Sequence, residues 1–85
     1  MLLKQKFVAT LIGENADLRE RKSDGSVYTY HTVAILQDGM VANIRVEEKL
    51  FKALKDMDHF KLYEMCSVFN TDYNSLMVTD MRLWK

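Results

Sequence analysis

The stretch RERKSDGSVYTY, residues 19–30, mixes three cations with one interior acid, an Asp-Gly pair and two tyrosines on alternate positions. Residues two apart on an extended chain share a face, so Tyr28 and Tyr30 present two rings side by side. Rings beside cations suit an unpaired nucleic-acid strand. Every base has a π-face that stacks on an aromatic ring, at about 1–3 kcal/mol per base, and Lys or Arg neutralises the phosphates. Arg19, Arg21 and Lys22 supply the charge. The competing reading is structural: the rings pack cross-strand, and Asp17, Glu20 and Asp24 hold the cations in ion pairs along a charged, aggregation-resistant edge. Tyr73, between Asp72 and Asn74 in a polar loop, is an interaction residue or folds back over the core. Arg82 shares even spacing with Leu76 and Val78 and so their strand face, where it reaches a groove or pairs with Asp80. Lys4, Lys6 and Arg45 are candidates on charge alone.

Other chemistry finds little support. The chain has two histidines, His31 and His59, and one cysteine, Cys66. It carries no His-x-x-x-His, Cys-x-x-Cys or glycine-rich phosphate loop. His31 could approach Cys66 across a sheet, but nothing in the spacing demands it, and a satisfied strand histidine is the expectation. Asp38 to Glu48 lacks the alternating oxygen ligands of a calcium loop. The expectation is no enzyme, no metal and no cofactor.

The elements that must position these residues follow from patterning. Lys6–Ile12 predicts a first strand, with Gly13 as a bulge or bend, continuing extended to an Asp24-Gly25 turn of type I′, in which both central residues need positive φ. Val27–Leu36, rich in β-branched and aromatic residues, predicts a second strand. Its first half alternates with polar residues and its second half is apolar on both faces, as in a hairpin whose tip projects beyond the body. Asp38-Gly39 turns into a third strand, Met40–Val46. Leu50, Phe51, Leu54 and Met57 form one apolar stripe on a helix over 47–57, which would cap one end of a barrel. A fourth strand over 59–69, a loop over 70–74 and a fifth strand over 75–84 complete the chain. Trp84 is then an interface residue or a lid. The order β-β-β-α-β-β is that of a mainly β, five-stranded OB-fold-like barrel, which commonly binds oligonucleotides.

Composition sets the limits. Eighty-five residues, 48% apolar, predict one small globular domain over 1–85. Such a chain buries only about 60–65% of its unfolded surface, and oligomerisation is a common remedy. Six methionines suit core gap-filling or an adaptable interface. Twelve basic and twelve acidic residues cancel, which disfavours binding by bulk charge and leaves a local groove open. The lone cysteine points to a reducing cytosol, and Lys4 and Lys6 interrupt any signal-peptide core.

The C-terminal run KLYEMCSVFNTDYNSLMVTDMRLW resembles the end of the single-stranded DNA-binding (helix-destabilising, gene V-like) proteins of filamentous phages. The shared features are a Leu-Tyr strand, an aromatic loop, Ser75-Leu76-Met77 and Arg82-Leu83, preceded by Gly25-x-x-Tyr28 after the hairpin turn. The resemblance covers 61–83 closely and 25–84 loosely. It implies an OB-fold homodimer that coats unpaired strands during phage or plasmid replication, with Tyr28, Tyr73 and Arg82 at the groove and the aromatic loop supplied by the partner subunit. Arg21 and Lys22 lie in the basic hairpin without close alignment. Departures are Asp80 for a second arginine, Asn43 for a lysine with Arg45 on the opposite face, Leu36 for a groove tyrosine, and the helix over 47–57 for an irregular Pro-containing segment.

The sequence thus predicts a non-enzymatic protein that coats single-stranded DNA, RNA being the open alternative, through Tyr28, Tyr30 and Tyr73 with Arg19, Arg21, Lys22 and Arg82. It would be a cytoplasmic homodimer or higher assembly. A module that engages a host or replication protein through the same surface is the other expectation, and a hairpin serving oligomerisation alone is a third.

Overall fold

The computed structural model describes residues 1–84. Five strands close on themselves in the order β1-β2-β3-β5-β4: β1 Leu2–Glu20, β2 Val27–Gln37, β3 Met40–Val46, β4 Leu62–Asn70 and β5 Ser75–Leu83. The result is a mainly β, OB-like closed sheet with one short helix between β3 and β4. Closure depends on the length of β1. Its first half, from Leu2 to Thr10, pairs with β4, and its second half, from Thr10 to Glu20, pairs with β2. The strand therefore starts earlier than Lys6 and runs unbroken to the hairpin turn. The last side of closure is narrow, since β3 and β5 meet only at Arg45–Met77 and Val46–Val78.

Two bulges set which residues face inward. In β1, Leu11 opposes Ile35 but Gly13 opposes Ala34, so one extra residue is accommodated at Ile12, next to the expected bulge at Gly13. Before the bulge Phe7, Ala9 and Leu11 point to the core; after it the parity reverses and Asn15, Asp17 and Arg19 point outward. In β5, Cys66 opposes Asp80 and Ser67 opposes Val78, leaving Thr79 as the extra residue. Val78 and Met81 are consequently both buried.

The core collects Ala9, Leu11, Val33, Ile35, Val46, Tyr63, Met65, Val78 and Met81 from the strands, with Leu50 and Leu54 from the helical segment. That segment is shorter than the stripe predicts: α1 covers Glu48–Ala53 and tightens into a 3-10 turn, Leu54–Asp56. The stripe faces inward as expected, Phe51 and Met57 packing on the core from its rim. The fourth strand starts at Leu62 rather than His59. The preceding turn is pinned to β1, where Phe60 donates to the Leu11 carbonyl and Leu11 to that of Lys61.

The two Asp-Gly turns differ. Asp38 and Gly39, at φ 53° and 76°, form the two-residue connection with both residues left-handed, as a type I′ turn demands. At Asp24-Gly25 only the glycine is left-handed, at φ 73°, which corrects the type I′ expectation there. Arg21 and Ser26 close a four-residue loop, with Gly25 donating to the Arg21 carbonyl. The Asp24 carboxylate accepts the Ser26 N–H, and that bond holds its pKa below the usual carboxylate range. A lowered pKa means this bond helps the turn above the carboxylate range and is lost as pH falls through it.

Gly39→Ala should destabilise by about 1–2 kcal/mol, because alanine resists positive φ. Gly13→Ala should be neutral or stabilising, since Gly13 is not left-handed and an added Cβ meets nothing within 4 Å, while alanine narrows the unfolded ensemble. Ser67 is buried, and its hydroxyl finds no hydrogen-bond partner among the described residues. Ser67→Ala should therefore raise stability by about 1 kcal/mol or more. Urea midpoints for the three variants check these signs.

Candidate nucleic-acid interface

The β1–β2 hairpin beyond the core lengthens the molecule to 45 Å against 28 and 23 Å across. Arg19 opposes Tyr28 and Asp17 opposes Tyr30 in the register, so the arginine and tyrosine side chains share the outer face. The guanidinium of Arg19 lies 3.7 Å from the Tyr30 ring centre, and that of Arg21 lies 5.2 Å from Tyr28. Both rings are half-buried beneath these cations, outside the core. The cross-strand packing reading and the exposed-ring reading thus each describe part of the arrangement. The rings rest on the hairpin, and their cover consists of planar guanidinium groups with no carboxylate partner among the described residues. A cation–π contact at an exposed site is worth only about 0.5–1 kcal/mol, so a base can displace the arginine or stack on it.

Arg45 completes the cluster, 5.4 Å from the Tyr30 ring on the side away from Arg19's strand. Its expected position on the face opposite Asn43 is corrected: residues 43 and 45 are two apart on one strand and share a face, and Arg45 opposes Thr32 beside Tyr30. The spacing from Asn43 was the signal that identifies it. None of Arg19, Arg21 or Arg45 forms an ion pair with a described carboxylate. Lys22 stands exposed at the turn, away from the rings.

Tyr73 comes to the same surface from the β4–β5 loop. It is 81% exposed and lines a groove of about 540 Å³ with Arg45, Met77, Ser75 and Leu2. The loop is tied to the chain start: the Met1 ammonium pairs with Asp72 at 3.2 Å, and Thr71 donates to the Met1 carbonyl. In this structure Tyr73 lines a groove with Arg45 of its own chain, whereas the family likeness would bring the loop from a second subunit.

Arg82 does not converge with the others. The Thr79 bulge moves it off the face of Leu76 and Val78 and onto that of Asp80, which corrects the even-spacing expectation. It lies toward the other end of β5, where Nε and Nη2 donate to Glu64 Oε1 at 2.9 and 2.6 Å. Its partner is thus Glu64, not Asp80. Trp84 is half-exposed beside this pair, its backbone N–H donating to the Leu62 carbonyl.

The remaining candidates for chemistry stand apart. His31 packs against Phe51 with ring centres 4.4 Å apart and the planes tilted by 46°, while Cys66 faces Lys6 across β1 and β4. His59 bonds Glu14 at 2.7 Å. No group of His, Cys, Asp and Glu among the described residues could hold a metal ion, and no described helix is long and apolar enough to cross a membrane.

No protein-family model matches the chain, and no curated protein matches it significantly. The likeness to filamentous-phage proteins therefore rests on the quoted residues alone.

Because the Arg82–Glu64 pair is exposed on its arginine side, Arg82→Gln should cost at most about 1 kcal/mol. It should leave any ligand response of the hairpin tyrosines unchanged, as read by tyrosine emission beside the urea midpoint.

Proposed function

We propose that this chain binds single-stranded nucleic acid, DNA in the first instance, along the outer face of the sheet. Bases stack on Tyr28, Tyr30 and Tyr73, and phosphates meet Arg19, Arg21 and Arg45, with Lys22 near the hairpin tip. The observation that carries this reading is the placement of three tyrosines and three arginines without carboxylate partners on one continuous surface of a molecule whose net charge is zero. The contribution is passive: rings and cations hold an unpaired strand and protect it, and base-edge recognition is not required. A duplex offers its bases only edge-on and should bind far more weakly.

Oligo-dT titration followed by tyrosine emission tests this. Saturable quenching is expected, with log Kd rising against log salt by about 0.7 for each phosphate contact. Tyr30→Ala should weaken binding roughly ten- to hundredfold, by the loss of about 1–3 kcal/mol of stacking, while Tyr30→Phe should retain most of it. Flat emission at low salt, or equal affinity for duplex, rejects the mechanism.

A second reading, a protein-binding or homodimer surface, draws on β3. From Met40 to Ile44 this strand pairs with β2 alone, leaving a free edge with no charged residue, and Met40 and Val41 are largely exposed. Such an edge accepts another strand. A second copy would extend the sheet across a two-fold axis. Val41→Lys should then convert a dimer to a monomer in light scattering without unfolding it. A wild-type chain already monomeric at high concentration discards self-pairing.

A further inference from the structure

The aromatic groove does not end at Tyr73. A single row of paired residues runs around the sheet, perpendicular to the strands: Thr32 opposes Arg45, Arg45 opposes Met77, Met77 opposes Val68, and Val68 opposes Lys4. Four inter-strand steps of about 4.8 Å make this row roughly 19 Å long. Val68 lines the Tyr73–Arg45 groove and also a second groove of about 510 Å³, which is bounded by Lys4, Lys6, Cys66 and Thr79. The two grooves are therefore contiguous. Lys4 and Lys6 sit two apart on β1 and share its outer face. Both are exposed, and neither forms an ion pair with a described residue. No acid lies in this row; beside Lys6, Asp80 stands beyond Cys66, and Glu64, two residues from Cys66 on the same face of β4, is paired with Arg82. No ring lines this part of the surface.

We propose that Lys4 and Lys6 form a phosphate rail that carries the strand onward from Tyr73 across the β4–β1 seam. This rests on the single-strand reading of the hairpin and extends it. The surface would have two sections: an aromatic one that stacks bases, and an aliphatic one that holds only the backbone through two ammonium charges. Ammonium groups suit such a rail because they grip phosphates as flexible point charges and impose no base geometry.

Cys66, the one cysteine of the chain, lines the second groove and serves as its reporter. The probes are oligo-dT of about 4 and about 16 nucleotides, the limits of the OB-fold range, added to the full chain at saturating concentration. Both should quench tyrosine emission. Only the longer should slow labelling of Cys66 by a thiol reagent, by tenfold or more. In the Lys4→Gln/Lys6→Gln variant the salt slope should fall by about 1.4, two phosphate contacts' worth. The short oligonucleotide should bind that variant as it binds the wild type. Tyrosine quenching by the long oligonucleotide with Cys66 labelled at the free rate, or an unchanged salt slope in the double variant, overturns the rail and leaves the hairpin site standing. No quenching by either probe overturns the hairpin reading, and the rail with it.

Discussion

Closure of the sheet by one long strand is the constraint on which the remaining features depend. β1 contributes to two seams, pairing with β4 through its first half and with β2 through its second. A chain this small has few apolar residues with which to stabilise a fold. Bending one strand around a shared core lets Phe7, Ala9 and Leu11 serve the β2 and β4 sides together. The helical segment fills an end of that core with Leu50 and Leu54. The narrow β3–β5 contact follows from the same geometry, because β3 diverges toward the Asp38-Gly39 turn and leaves its edge free.

The bulge at Ile12–Gly13 links this architecture to the candidate site. Odd-numbered residues of β1 face the core up to Leu11 and face outward from Asn15 onward. Without the extra residue, Arg19 would lie on the opposite face from Tyr28 and Tyr30, and the cation–π cluster would not exist. The Thr79 bulge has the converse effect in β5: it keeps Met81 in the core and turns Arg82 toward Glu64. The Ile12 bulge thus brings Arg19 to the rings, whereas Arg82, turned outward by the Thr79 bulge, is kept from them by its place at the far end of β5.

Much of this was legible in the sequence. The order of elements along the chain, the span of β3, the inward stripe of the helix and the projecting hairpin follow from periodicity and turn residues, which are local signals. The misreadings concern register. Alternation by two fails across a bulge, so even spacing alone puts Arg82 on the face of Leu76 and Val78, which the Thr79 bulge reverses. The β1 start was missed because Leu2–Gln5 shows no clean alternation, and it is strand only through β4. Asp24-Gly25 and Asp38-Gly39 read alike, yet loop length separates them: the first spans four residues and needs one left-handed position, the second spans two and needs both. Arg45 carries no local signal for its role, since its ring partner, Tyr30, lies on another strand.

The central claim is that the outer face of β2, β3 and the β4–β5 loop is one surface for an unpaired strand. Amide and side-chain NMR shifts of the labelled chain, recorded with and without oligo-dT, test it most directly. Strand binding there should perturb Arg19, Tyr28, Tyr30, Arg45 and Tyr73 most, with α1 and the Arg82–Glu64 pair unmoved. Shifts centred on α1, or scattered without regard to face, would contradict it.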